Sequence, residues 1–230
     1  MIGSRPIAVA GIAMILLGGR AVEAGPVSIT PKGEQTINAE ANGDISPKKL
    51  KYRLKTDKGK TKWTLGSVPK WLSPKATKGT AKPKKSTLVI KANTNKIAKM
   101  DAGIYSKTLK ISYSDFGEKV KAKRVVTLII EGDPAEGVQV YNAKCSGCHD
   151  LDINMNGPML RAVYGRKAGT TPGFNHSEEL TAYGEIWQER TLDKWLENPQ
   201  RLVKGSDMFL SLKKGDDRMN VIAYLKSVKP

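Results

Sequence analysis

Val140-Tyr141-Asn142-Ala143-Lys144-Cys145-Ser146-Gly147-Cys148-His149 decides how the C-terminal part of this chain folds. Two cysteines separated by two residues and followed at once by a histidine are the signature of covalent haem attachment. The thiols add across porphyrin vinyl groups and the adjacent imidazole becomes the proximal iron ligand. The chain has only these two cysteines, and in an exported protein such a pair would otherwise suggest a disulfide. Two further readings compete. A redox dithiol would sit in a strand-helix-strand setting that is missing here, and a zinc site would need a fourth ligand although His176 is the only other histidine.

Around this motif the pattern is helical. Residues 137–144 place Val140 and Tyr141 where a helix can bury them. Residues 191–197 read as a second helix with Thr191 as N-cap, stopped at Asn198-Pro199 because the residue before a proline avoids helical geometry. Residues 217–228 form a third, with Met219, Ile222 and Leu225 on one stripe. An electron-transfer haem needs a sixth ligand, for which a methionine thioether serves. Met155 and Met159 lie too near the attachment segment, and Met219 belongs to a core stripe. Met208 follows the irregular Gly205-Ser206-Asp207 and can be laid against the open face of the iron.

These residues together resemble class I cytochrome c of the mitochondrial and bacterial c2 type, over about residues 135–230. Gly137, Tyr141 and Tyr224 match the crossing of the N- and C-terminal helices. Gly157-Pro158 matches the segment whose proline carbonyl holds the proximal histidine. The resemblance implies that Arg166, in Gly165-Arg166-Lys167-Ala168-Gly169, and Trp187 support a haem propionate, that Trp195 lines the methionine side, and that Met208 is the axial methionine. It implies one covalently bound haem c, with iron held by His149 and Met208. His176 stands where the family has a tyrosine touching a propionate; it reads as a surface imidazole or as a pH-dependent partner of that carboxylate. Lys204 replaces a proline and Asp207 a lysine, which thins the usual lysine ring around the haem edge and leaves the family's ordinary partners open.

Residues 25–131 read differently. Leu50, Tyr52 and Leu54 alternate with Lys51, Arg53 and Lys55, a half-buried strand. The same period recurs over residues 87–92, 105–113 and 125–130, so the expected fold is an antiparallel sandwich with Trp63 and Trp71 in its core. Ile45-Ser46-Pro47, Tyr52-Arg53-Leu54, Trp63, Pro69-Lys70-Trp71-Leu72 and Ala102-Gly103-Ile104-Tyr105 resemble the immunoglobulin-like BACON-type modules of exported bacterial proteins. The expected architecture is therefore multidomain: residues 1–24 a signal peptide, 25–131 an all-β immunoglobulin-like sandwich, and 132–230 an all-α class I cytochrome c domain, with the change of pattern at Glu131-Gly132-Asp133-Pro134-Ala135.

The leader reading rests on Arg5, an apolar stretch over residues 7–17 and a small-residue end at Ala24. The stretch is far shorter than the ~20 residues that span a bilayer, so cleavage after Ala24 and a periplasmic location are expected. Charge is uneven. Residues 25–131 carry 24 basic and 8 acidic side chains, whereas residues 132–230 carry 13 of each. Lys119, Lys121 and Lys123 alternate along a strand, and Lys70, Lys75, Lys78, Lys82, Lys84 and Lys85 crowd a short stretch. A net +16 over residues 25–131 exceeds what solubility asks. The expected partners are acidic redox proteins, or an anionic membrane or cell-wall surface; the exported compartment argues against nucleic acid.

Residues 25–131 contain no histidine or cysteine, which excludes a catalytic triad there. The expected function is single-electron transfer by a monohaem carrier rather than enzymatic catalysis. The alternatives are a subunit of a larger periplasmic redox enzyme, a haem-based sensor with an open sixth position, and a surface-binding module that immobilises a haem.

Overall fold

The computed structural model describes residues 27–57, 59–84, 86–115 and 117–229. The leader expected at residues 1–24 lies outside these, as does Lys85. Ten strands come first. β1 (Ser28–Thr30), β4 (Lys49–Lys55), β8 (Thr87–Ala92) and β6 (Leu72–Pro74) form a four-stranded sheet in that order. β3 (Ile45–Ser46), β2 (Gln35–Ala39), β10 (Glu118–Ile130), β9 (Gly103–Asp115), β5 (Thr61–Leu65) and β7 (Lys78–Ala81) form a six-stranded one. A single turn of helix, α1 (Thr94–Ile97), precedes β9.

The period of two in the sequence places side chains as expected. Leu50, Tyr52 and Leu54 are buried while Lys49, Lys51, Arg53 and Lys55 are exposed. Trp63 and Trp71 join the same core as Ile37, Leu109 and Leu128. The sheets are not wholly antiparallel: β2 runs parallel to β10, with Ile37 beside Leu128. An alternating pattern reports which face a residue occupies but not the direction of its strand, so this pairing is a correction that only the fold supplies. Arg124 reaches from β10 to the other sheet, donating to the carbonyls of Ile29 at 2.5 Å and Pro31 at 2.9 Å.

Beyond Glu131 the described residues form helices α2 (Pro134–Lys144), α3 (Glu178–Tyr183), α4 (Glu189–Glu197), α5 (Pro199–Leu202) and α6 (Gly215–Ser227). Long irregular segments join them, with one isolated bridge between Lys167 and Ile186. Asp133 caps α2 by accepting from the Ala135 N–H, with Pro134 in the first turn, where its missing N–H costs nothing. Helix α4 begins earlier than the sequence implied. Its N-cap is Gln188, and Thr191 is the third helical residue, whose hydroxyl accepts from the Gln188 N–H. A threonine oxygen satisfies a free N–H from either position, so the residue type alone did not fix the boundary. Asn198 ends α4 and caps α5, accepting from the Arg201 N–H.

α2 packs across α6, and a Cβ at Gly137 would lie 2.1 Å from the Asn220 carbonyl oxygen. Only glycine permits that approach. Between α4 and α6 a nearly buried ion pair joins Arg218 to Asp193 at 2.7 Å.

The two regions are joined on one face of the six-stranded sheet. Ile104 of β9 and Ile129 of β10 pack against the core of the helical region. Arg190 at the start of α4 pairs with Glu34 at 2.5 Å and donates to the Thr36 hydroxyl of β2. Lys226 of α6 lies between Glu131 and Glu189, at 2.6 and 3.0 Å. The connecting chain runs directly over α6: a Cβ at Gly132 would fall 2.3 Å from the Asn220 nitrogen, and the Asp133 N–H donates to the Asn220 side chain.

Candidate haem site

The last turn of α2 delivers Cys145, which caps the helix, and the chain then turns tightly. The Cys148 and His149 N–H groups both donate to the Cys145 carbonyl, at 3.0 and 2.9 Å. The two cysteines are not joined to each other in a disulfide; Cys145 is buried and Cys148 exposed. Burial pushes the Cys145 thiol up to about 11, with the neighbouring Cys148 adding to it.

The His149 Nδ1 lies 2.8 Å from the Pro158 carbonyl oxygen. A carbonyl only accepts, so Nδ1 carries the proton and Nε2 keeps its lone pair. Burial holds the imidazole below its ordinary pKa, against the opposing pull of the Pro158 carbonyl. The ring is therefore neutral at neutral pH, the form that binds a metal. Gly157 makes room for it, since a Cβ there would sit 2.3 Å from the imidazole Cε1. The Tyr141 hydroxyl donates to the His149 carbonyl at 3.1 Å, tying α2 to the same loop.

These groups open onto a cavity of about 460 Å³, within the range of small-molecule and cofactor sites. The structure places all nine residues singled out in the sequence on its wall: Cys145, Cys148, His149, Pro158, Arg166, His176, Trp187, Trp195 and Met208. Trp187 and Trp195 are buried and pack on each other with centroids 5.4 Å apart. Met208 is half-buried and is the methionine on this wall among the described residues. Met219 is buried in the α6 core, and Met155 is exposed.

Two of these residues have protein partners that the sequence did not show. Arg166 donates to the main-chain carbonyls of Met159 at 2.8 Å and Arg161 at 3.4 Å while lining the cavity, and burial lowers its pKa from the ordinary arginine value. His176 is not a free surface imidazole. It is half-buried, accepts the Thr171 N–H through Nε2 at 3.1 Å and packs edge-on to Phe174. Burial, then the Arg166 charge, lowers its pKa, so it too stands neutral.

The residue that sequence reading missed is Gln200, in the single turn α5. Its amide nitrogen donates to the Ser206 carbonyl at 2.5 Å, the Ser206 hydroxyl at 3.1 Å and the Met208 carbonyl at 3.0 Å. It thereby fixes the loop that carries Met208. No signal in a lone glutamine marks this role, which depends on the turn made after Asn198-Pro199.

The cavity suits a large apolar cofactor with two thiol attachment points and a neutral imidazole beside it. Among the described residues no cluster of three or more histidine, cysteine or acidic side chains could hold a metal ion by itself. The cytochrome c family model matches residues 134–229. Cytochrome c2 of Rhodomicrobium vannielii is 45% identical over 98 residues, spanning 41% of this chain and 78% of that protein. The chain belongs to the cytochrome c family.

Other relatives cover the same part. Cytochrome c of Euglena viridis is 37% identical over 101 residues, 43% of this chain and 99% of the relative. The structure of cytochrome cH from Methylobacterium extorquens matches with 35% identity and a TM-score of 0.40, covering 42% of this chain and 99% of that one. As a family member this chain is a haem-based electron-transfer cytochrome with one covalently attached haem c in its C-terminal cytochrome c domain. The sheet-rich residues before it lie outside these matches.

Proposed function

We propose that this protein is an exported, periplasmic monohaem electron carrier, divided into a leader at residues 1–24, a basic immunoglobulin-like sandwich at 25–131 and the cytochrome c domain at 132–230. Cys145 and Cys148 form the two thioethers, and His149 and Met208 are the axial ligands. Pro158 orients His149, and Trp187, Trp195, Arg166 and His176 line the porphyrin. Bound haem supplies a one-electron couple, and transfer through its edge requires no acid, base or nucleophile from the protein. The lysine-rich sandwich selects where the carrier docks, on an acidic redox protein or an anionic surface.

The observation that carries this reading is the shared cavity wall of His149 and Met208. The imidazole has its Nε2 lone pair bare, and the thioether is on a loop held by Gln200. Two donors of different softness lining one cavity suit an iron closed to exogenous ligands.

The test is the absorption spectrum of the oxidised holoprotein at neutral pH, followed by reduction under carbon monoxide. The proposal expects a methionine-to-iron charge-transfer band, its loss in Met208→Ala, and no carbon monoxide adduct in the parent. Absence of the band with ready carbon monoxide binding would replace the carrier by a sensor or a haem enzyme. Stable co-purification with a catalytic subunit would make it part of a larger complex.

A further inference from the structure

The structure assigns a specific docking face within the basic sandwich. We propose that the outer face of the four-stranded sheet binds an anionic phospholipid bilayer and holds the cytochrome c domain on the far side of the sandwich. This rests on reading the β region as the docking part of the molecule.

The face is built by register. The outward positions of β4 are Lys49, Lys51, Arg53 and Lys55, all exposed. β8 places Lys91 directly opposite Lys49, Val89 opposite Lys51 and Thr87 opposite Arg53, and β1 adds Thr30 and Ser28 opposite Arg53 and Lys55. Five cations are thus spread among hydroxyls and one half-buried valine, with no carboxylate at any of these positions. None of the five forms an ion pair with another described residue. Side chains on one face recur about every 6.6 Å along a strand, so the four β4 cations make a row rather than a cluster. Like charges directly opposite each other, as Lys49 and Lys91 are, weaken a sheet. A face evolved for solubility alone would mix signs.

A second cationic field, Lys62, Lys78, Lys110, Lys119, Lys121 and Lys123, lies on the outer face of the six-stranded sheet. That face also carries the cytochrome c domain, which covers its other end at Thr36, Ile104 and Ile129. An extended surface approaching there would meet the domain first. The four-stranded sheet covers the opposite side of the shared core, and among the described residues its outward side chains make no ion pair with the cytochrome c domain. Its lysines are point charges on flexible stems over an open sheet, suited to the negative potential of lipid head groups, which demands no shape match. An acidic globular protein would fit better in the corner between the second field and the cytochrome c domain.

The test uses the full-length holoprotein in co-sedimentation with phosphatidylcholine vesicles, with and without phosphatidylglycerol. Two charge-matched variants are compared: Lys49→Gln, Lys51→Gln, Lys55→Gln and Lys91→Gln together, and Lys62→Gln, Lys110→Gln, Lys121→Gln and Lys123→Gln together. Binding that needs phosphatidylglycerol, weakens with salt and falls at least about tenfold in the first variant, while the second stays within about threefold of the parent, is the expected result. Equal loss in both variants overturns the assignment of the face. If the parent ignores the vesicles but binds immobilised polyglutamate, the bilayer proposal fails and the docking reading survives. If it binds neither at low salt, both fail. The absorption spectrum of the same samples reports the haem site independently.

Discussion

The Nδ1–H of His149 donates to the carbonyl of Pro158 at 2.8 Å, and the glycine before that proline leaves the space in which the imidazole stands. One dipeptide thus fixes both the tautomer and the position of the ring, which makes the site sensitive to a single methyl group.

Gly157→Ala places a Cβ within 2.3 Å of the imidazole Cε1. The ring or the loop must shift, at a cost of about 2 kcal/mol, typical of an overpacked interior. The expected outcome is a lower yield of correctly ligated holoprotein, with a carbon monoxide adduct appearing on reduction. A variant with the parent's spectrum and midpoint in guanidinium would show that the loop absorbs the methyl group freely.

Gln200→Ala removes the donor to the Ser206 carbonyl, the Ser206 hydroxyl and the Met208 carbonyl. Loss of such contacts costs about 1–3 kcal/mol when acceptors are left unpaired. The methionine-to-iron band should therefore disappear at a lower temperature than in the parent, ahead of global unfolding. Co-melting of the band with the fold, as in the parent, would mean that Gln200 has no part in holding Met208.

The contact between the two regions should loosen in acid. The Arg190 side chain, by hydrogen bonding and by charge, holds the Glu34 carboxyl below its ordinary value of 4.5, with burial opposing. A depressed folded-state pKa gives stability that is present above the unfolded value and lost as pH falls through the folded one. Both side chains are about one-third exposed, so the contribution is under about 1 kcal/mol. Calorimetry from pH 7 down to below 4 should show the two regions separating into distinct transitions, and Arg190→Gln should shrink the pH dependence of that separation. An identical profile in parent and variant would remove the pair from the account.

Gly132→Val would put a branched side chain where even a Cβ lies 2.3 Å from the α6 main chain at Asn220. The connecting segment should lift, exposing residues around 131–134 to limited proteolysis while the haem spectrum persists. Cleavage no faster than in the parent would show that the linker is not held by this contact.

Much of the haem site is legible in the sequence because its chemistry is local. Cys145, Cys148 and His149 are bound to one turn of chain, and Gly157-Pro158 follows within ten residues, so spacing alone constrains what they can do. Met208 could be separated from Met155, Met159 and Met219 by asking which one follows a helix stop. The inward residues of β4 and the burial of Trp63 in β5 were equally readable, since a period of two determines a face.

What the sequence by itself did not determine depends on contacts between distant segments. The parallel pairing of β2 with β10 joins residues about ninety positions apart, and alternation carries no sign of direction. The role of Gln200 exists only because a single turn of helix swings its amide over the Met208 loop. The seating of the cytochrome c domain on the six-stranded sheet is set by Ile104, Ile129, the Arg190 pair and the Glu131-Lys226-Glu189 bridge, each scattered through the chain. The twenty-four basic side chains of residues 25–131 were countable from the start. Which of them share one face was decided by strand register, which puts Lys49 opposite Lys91, and the contacts that seat the cytochrome c domain on the other sheet leave that face to solvent.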